Sequence, residues 1–333
     1  MSEELVRLSA SRIKTLQSCT WSYYSNYVLK LPQTNNSGAM RGTIAHLIFE
    51  ILSNPRHHKY VKKIIKKDTC KAVPSVWKLI FKTARKIGLD LDEMVKPLKK
   101  EAEVTNLKCI DQMILVGLKF DFMDIKGFIG SEWAFDITNE SPKYRIVGFV
   151  DRLVKDKDGK LIVRDYKSSK KTFDSAELES NLQSMMYSLA IKKKYPNEYK
   201  EIIAKFLFLR YPDDPEKSSP AFSDNELDGF EHYLEYTSNL LQAFNEQTAK
   251  SNFAKNDFSK KWMCKTKSGW KCPYLEPINY KVLLDKDKKI IKSVFASDEI
   301  NTDDIKDGFT VEDRRYEGCP AWEVKKQKDA FDF

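Results

Sequence analysis

The chain has 333 residues, 41% hydrophobic and 12% aromatic, so it can bury a sizeable core as one large globular domain or one domain with appendages. Its 57 Lys and Arg against 48 Asp and Glu give a net charge of +9, compatible with a polyanionic partner such as nucleic acid. The opening MSEELVRLSA lacks the apolar core of a signal peptide and no apolar run approaches the roughly 20 residues of a membrane helix. The six scattered cysteines therefore speak against a disulfide framework and for a reducing compartment, the cytoplasm or, for a phage-encoded protein, the host cytoplasm.

Helical spacing opens the chain. SASRIKTLQSCTWSYYSNYVLKL starts with serines suited to capping and sets Ile13, Leu16, Tyr23, Tyr24, Tyr27 and Val28 at helical intervals. The loop PQTNNSGAM precedes RGTIAHLIFEILSN, where Ile44, Leu47, Ile48 and Ile51 form an apolar stripe while Thr43, His46 and Glu50 follow one another along a different side. Basic amphipathic helices continue over 58–123, with breaks near Pro74, Gly88 and Pro97. The period then changes: GSEWAFDIT, YRIVGFVDRLVK and KLIVRDYKS are short β-rich runs, the last two joined by the turn-like DKDGK. A helix from about Asp174 to Lys194, the apolar strand IIAKFLFLRY and a helix over about 222–249 follow, with KSSKKTFDS and YPDDPEKSSP as loops. The remainder is irregular and cysteine-bearing, with a hairpin in YKVLLDKDKKIIKSVF. By these changes the chain divides into a helical region over 1–123 that includes the first core helix (40–53), an α/β core over 124–250, and an extension with a tail over 251–333.

The strand KLIVRDYKS ends in an acid and an amine. Alternation puts Asp165 and Lys167 on one face with Val163, and Arg164 and Tyr166 on the other. With Lys157, Asp158 and Gly159 as the loop, position 156 pairs with 160 and Asp151 comes directly opposite Asp165, with Cβ atoms about 5 Å apart. Two carboxylates that close repel unless protonated or bridged by a cation, and oxygen ligands favour hard ions such as Mg²⁺ or Mn²⁺. Such an ion lowers the pKa of bound water, and a nearby lysine can orient that water and offset charge on a phosphate under attack. An exposed cross-strand ion pair is the plainer alternative for the same residues.

RGTIAH in a helix, GFVDRL and VRDYKSS in successive strands and NLQSMMYSLAI in the following helix occur in that order. Together they resemble the PD-(D/E)XK nuclease superfamily, in particular its RecB-like exonuclease branch, which includes the nuclease domains of RecB and AddB and the CRISPR-associated RecB-like nucleases. The resemblance spans about residues 8–211. It implies a restriction-endonuclease-like α/β fold, a mixed sheet flanked by helices, and metal-dependent hydrolysis of DNA phosphodiesters. It further implies that His46, Asp151, Asp165 and the Tyr166 carbonyl bind metal, that Lys167 activates water, and that Gln183 and Tyr187, one helical turn apart, bind or orient nucleic acid. Glu50 and Glu132 are accessory acids. An exonuclease on ends or single strands in recombination, repair or phage DNA metabolism is the favoured activity. A nuclease-like binding module with a vestigial metal site and an endonuclease or nickase are the alternatives.

Cys19 lies where many RecB-like nucleases place the first of four iron–sulfur ligands, and Cys264, Cys272 and Cys319 supply the other three. The resemblance thus implies a [4Fe–4S] cluster, with Zn²⁺ or unligated thiols as the alternatives. The spacing departs from the usual close C-x-x-C, and Cys319 stands far from the others in sequence. Cys70 and Cys109 read as ordinary thiols. The patches KYVKKIIKK and KPLKK can track a phosphate backbone. The ending KKQKDAFDF is a candidate docking segment for a replication or recombination protein, by analogy with short acidic-aromatic tails.

Overall fold

The β-rich runs come together as one sheet. In the computed structural model, which describes residues 5–34, 36–98, 105–122, 127–139, 144–266 and 270–322, six strands form it: β1 (Val6–Leu8), β2 (Phe128–Asn139), β3 (Tyr144–Lys155), β4 (Leu161–Lys167), β5 (Ile202–Phe208) and β6 (Glu216–Ser218). β2 runs antiparallel along β3, from Phe128 opposite Val154 to Asn139 opposite Tyr144. On its other edge β3 is shared, with β1 parallel to its start at residues 144–146 and β4 antiparallel to its end at residues 152–155. Among the described residues, positions 147–151 of β3 therefore have no strand partner on that edge. β4 and β5 are parallel, and β6 closes the sheet antiparallel to β5.

The β3–β4 hairpin has the register that its loop predicts. Arg152 pairs with Arg164 and Lys155 with Leu161, so the next step along both strands brings Asp151 to Asp165. Asp156 builds the turn: its carboxylate accepts from the Asp158 and Lys160 amides at 2.9 and 2.8 Å. Gly159 takes a φ of +81°, a left-handed conformation that residues with a Cβ adopt at a cost.

Parallel strands need a crossover, and two helices supply it here. The expected single helix is broken into Ser175–Glu179 and Leu182–Lys194. Asn181 makes the break: its side-chain oxygen caps the second helix by accepting from the Gln183 and Ser184 amides. Gln183 is thereby set in a first helical turn.

The helical region folds on one apolar cluster. Ile44, Ala45, Ile48 and Phe49 of the Ser37–Ser53 helix meet Ile110, Met113 and Ile114 of the Asn106–Asp121 helix. Val61 and Ile64 of His58–Lys67 and Ile80 of Pro74–Lys86 extend it, each such side chain contributing about 1.5–3 kcal/mol on burial. The expected stripe is shifted: Leu47 and Ile51 are only half-buried, and Ala45, Phe49 and Leu52 take the core positions. The helix also begins earlier, at Ser37, because Asn36 caps it by accepting from the Ala39 amide at 2.9 Å.

Packing groups the chain into two units, residues 1–9 with 35–236 and residues 10–34 with 237–333. The segment 10–34, placed in the helical region by its sequence, thus belongs with the cysteine-bearing extension. In this second unit the helices Ala10–Ser18 and Thr20–Tyr23 and a π-turn over Tyr24–Val28 accompany a three-stranded sheet of β7 (Ile278–Leu284), β8 (Ile290–Phe295) and β9 (Thr310–Tyr316), with β7 central and antiparallel to both. Trp21, Tyr280, Val282 and Tyr316 lie in its core. The Trp21 indole donates to the Tyr316 hydroxyl at 2.6 Å, which donates in turn to the Tyr274 carbonyl at 2.8 Å.

β7 and β8 are the expected hairpin, whereas β1, β6 and β9 lie in stretches whose composition announced no strand. The helix expected over 222–249 is Asp224–Gln242 followed by the short Glu246–Ala249. Residues 325–333, with the acidic-aromatic ending, lie outside the described residues, as do Lys99 and Lys100 of KPLKK. Among the described residues no helix is long and apolar enough to cross a membrane.

Candidate functional site

The bare stretch of β3 and the end of β4 carry the acids, and helices bring the remaining groups. His46 reaches them from the Ser37–Ser53 helix. Its Nδ1 lies 3.1 Å from Asp151 Oδ1 and its Nε2 lies 3.1 Å from the Tyr166 carbonyl oxygen. Both partners are acceptors only, so the ring meets them with two N–H groups as an imidazolium, or gives up one edge to a cation. Burial disfavours the charged ring, but the Asp151 hydrogen bond and the charges of Asp151, Asp165 and Glu132 outweigh it and hold His46 above its ordinary pKa. Gly42 lets this helix approach the strand end, since a Cβ there would stand 2.7 Å from Ser168 Oγ.

Asp151 is held from two sides, because its Oδ2 also accepts from the Tyr166 backbone amide at 2.6 Å. Asp165 is 4% exposed. Its Oδ2 accepts from Gln183 Nε2 at 2.6 Å and from the Tyr187 hydroxyl at 2.9 Å. Its Oδ1 is ion-paired with Lys167 Nζ at 2.5 Å. Burial pushes the Asp165 carboxyl up, and the Asp151 charge adds to this against the opposing pull of Lys167.

Gln183 locks the pair. Lysine only donates and a carboxylate only accepts, so the amide has one workable orientation, with Oε1 accepting from Lys167 Nζ at 2.8 Å and Nε2 donating to Asp165. Tyr187 is 3% exposed, and its hydroxyl faces Asp165 and the Phe149 carbonyl oxygen. Tyr187 is buried, and the polar groups of both are turned onto Asp165, Lys167 and each other. Phe206 lies under the ammonium, 5.3 Å from Lys167 Nζ to the ring centre.

Glu132 comes closer to the site than sequence alone could say. It stands on β2 between Ser131 and Trp133, whose partners are Arg152 and Val150, and so lies across from Asp151. Its φ of +49° takes it out of the regular ladder, a strained conformation for a residue with a side chain. Ligand atoms of His46, Glu132 and Asp151 all lie within 4.8 Å of one another. Burial and then the Asp151 charge push the Glu132 carboxyl up, with His46 opposing and Glu50 adding to the push. Glu50 itself is exposed on the helix, one turn beyond His46.

Behind the acids is a buried network that sequence reasoning missed. Asp121 lies 3.3 Å from Arg152 Nη1 and 3.0 Å from Arg164 Nε, and accepts from the Tyr166 hydroxyl at 2.6 Å. Arg152 is 1% exposed and faces the Phe122 ring at 4.3 Å. The two arginines are cross-strand partners, and like charges so placed repel unless an acid stands between them. An arginine inside each of the apolar runs FVDRLV and LIVRDY was the available signal.

The four cysteines at issue lie together in the second unit. Cys19, Cys264, Cys272 and Cys319 line one cavity of about 250 Å³ with Trp21, Met263, Trp270, Tyr274 and Leu275 among its walls. The Cys272 amide donates to the Cys264 carbonyl at 2.8 Å, so these two stand across a small hairpin. Gly318, with φ +98° and room for only a hydrogen against the Leu275 carbonyl, brings Cys319 alongside, and the Cys319 amide donates to that same oxygen at 3.2 Å. Cys19 interrupts its helix in an extended conformation. Burial first, with the neighbouring cysteines adding, pushes the Cys272 and Cys319 thiols up to about 11. Cys70 and Cys109 are buried in the first unit, away from this set.

The sequence model of the PD-(D/E)XK nuclease superfamily matches residues 7–276. No curated protein sequence matches the chain. With most of its length matched and the mixed sheet flanked by helices, the chain belongs to the PD-(D/E)XK nuclease superfamily. Membership implies hydrolysis of phosphodiester bonds in DNA with divalent metals such as Mg²⁺ or Mn²⁺.

Proposed function

We propose that this nuclease is a RecB-like deoxyribonuclease that works as an exonuclease on DNA ends or single strands, in recombination, repair or phage DNA metabolism. The observation that carries the assignment of its centre is the convergence of acceptors on His46: Asp151 Oδ1 and the Tyr166 carbonyl face its two nitrogens, beside an Asp165 carboxylate paired with Lys167. The carboxylate and carbonyl oxygens are donors that suit Mg²⁺ or Mn²⁺, and such an ion would also offset the charge that Asp151 and Asp165 bring together.

In this reading His46, Asp151, Asp165 and the Tyr166 carbonyl hold the metal, and Glu132 joins them. The bound ion would supply a more acidic water and charge to offset the phosphate. Lys167 directs the attacking water and faces the developing negative charge. Gln183 positions Lys167 and Asp165 together, and Tyr187, whose hydroxyl burial keeps protonated, donates to the same carboxylate. The exposed lysines of His58–Lys67 offer contacts to the phosphate backbone, a salt-sensitive contribution.

The cysteine cavity supports a resident [4Fe–4S] cluster, with Zn²⁺ as the alternative. Four thiols on one cavity fit either ion chemically. Absorbance near 400 nm in anaerobically purified protein distinguishes the two.

The activity is tested on end-labelled single- and double-stranded DNA, with free and blocked ends and as closed circles, in Mg²⁺, Mn²⁺ or EDTA. Cleavage should need a metal and a free end, and should fall by about 10²–10³-fold or more in Asp165→Ala and Lys167→Ala. Degradation that persists in both variants would refute the site. Cutting of closed circles would make the enzyme an endonuclease, and a wild type that binds every substrate and cuts none would be a binding module.

A further inference from the structure

Phe149 lies two residues before Asp151 on the bare stretch of β3, and 66% of its surface is exposed. The next residue, Val150, is fully buried. Side chains alternate across a strand, so Phe149 and Asp151 leave the same face, about 7 Å apart along the chain. The strand partner of Phe149 is Ala134, whose methyl group is too small to cover a ring. The acid two residues before that alanine is Glu132, from the metal-ligand group. A buried phenylalanine would contribute about 1.5–3 kcal/mol to folding, and at this position most of that gain is forgone.

Single exposed apolar residues are ordinary on protein surfaces. Phe149 differs in what its backbone is joined to. The Tyr187 hydroxyl lies 3.0 Å from the Phe149 carbonyl oxygen and 2.9 Å from Asp165 Oδ2, so one phenol ties the strand segment bearing the ring to the carboxylate that faces Lys167. The acids themselves repel a phosphodiester, and they attract it only through a bound cation. Apolar surface beside them can hold another part of the same molecule, and every nucleobase has a flat face that stacks on an aromatic ring without regard to sequence. In a duplex those faces are already stacked on their neighbours.

We propose that the Phe149 ring is the stacking surface for an unpaired nucleobase next to the phosphate held at Asp151 and Asp165, and that it makes the site favour single strands and frayed ends over paired DNA. This rests on the nuclease reading above, and it names a positioning residue that does no chemistry itself.

The test uses the whole protein and short oligonucleotides carrying 2-aminopurine at successive positions from either end, a base whose fluorescence falls when it stacks. With Ca²⁺ replacing Mg²⁺, wild type should quench the probe at one position. Phe149→Ala and Phe149→Leu should lose that quench while Phe149→Trp keeps it. In Mg²⁺ the KM of Phe149→Ala for single strands should rise about 5- to 150-fold, the range that one base-on-ring stack is worth, with kcat within about threefold and a smaller change on blunt duplex. A quench that survives in Phe149→Ala, no quench in wild type, or a KM that rises equally on both substrates would overturn the stacking role. A wild type that quenches without cutting would refute hydrolysis and leave the stacking standing, whereas one that cuts with unaltered KM in Phe149→Ala would refute the stacking alone.

Discussion

The carboxylates at the β3–β4 hairpin and the cysteines of the second unit are both groups of metal-ligand side chains, and the protein surrounds them differently. Around Asp151 and Asp165 the polar atoms have protein partners: a backbone amide, an imidazole, an amide side chain, a phenol and an ammonium. The cysteines line a cavity among Trp21, Met263 and Leu275, where burial raises the thiol pKa of Cys272 and Cys319 to about 11. Neutral thiols hold one another weakly. The first group is thus organised by the protein before any ion arrives, and a metal there should matter to activity. The second is brought together by segments distant in sequence, and a metal there should matter to folding.

Removing one thiol is the severest way to break that contrast. Structural metal sites contribute on the order of 10 kcal/mol to folding, so Cys272→Ser should abolish absorbance near 400 nm and expose residues 237–322 to limited proteolysis; unaltered absorbance and protease resistance would make the cavity a mere thiol pocket. Asp165→Asn comes next and should separate activity from stability. It should lower kcat about 10²–10³-fold, yet leave the Tm unchanged or raised, because burial that pushes an acid's pKa up makes its charged form a cost to folding. A large fall in Tm would show that the carboxylate serves the fold instead.

Tyr166→Phe probes the network behind the site. Losing the hydroxyl leaves Asp121 short of a buried donor and should cost about 1–3 kcal/mol in denaturant unfolding, with DNA cleavage within about threefold of wild type, since phenylalanine keeps both the carbonyl that faces His46 and the ring that packs edge-on against it. Glu216→Gln should have the smallest effect. Glu216 pairs with Arg164 and Lys205; burial works against its charge, but these two cations prevail and hold its carboxyl below the ordinary value. The stabilisation, about 1 kcal/mol for a partly exposed pair, is fully present above the unfolded-state pKa near 4.5. It disappears as pH falls through the lower folded-state value. Unfolding curves of wild type and variant should therefore differ at pH 7 and converge toward pH 3; a constant gap would assign the effect to packing.

The parts legible from sequence were those governed by neighbours along the chain. The loop over 157–159 and strict alternation were enough to bring Asp151 opposite Asp165 and Asp165 beside Lys167, because a hairpin has one register for one turn. Breaks at Pro74 and Gly88 were legible for the same local reason. Glu132 was visible as an accessory acid within a β-rich run, but its approach to His46 depends on a left-handed residue opposite Asp151 that no composition announces. Gln183 and Tyr187 were recognisable as a helical pair, but where their polar groups turn depended on a carboxylate and a lysine donated by another element.

By itself the sequence therefore determined the chemical inventory and the local geometry of the acid hairpin: which carboxylates, which amine, and the face they share. Only tertiary structure decided that Asp121 pairs with both Arg152 and Arg164, that Phe149 stands uncovered beside the acids, and that residues 10–34 pack with 237–333 to collect four cysteines around one cavity. Alternation and turn chemistry act over a few residues and leave a mark in the pattern. Contacts between distant segments are chosen by the free energy of burying apolar surface and satisfying buried charge, to which the whole chain contributes at once.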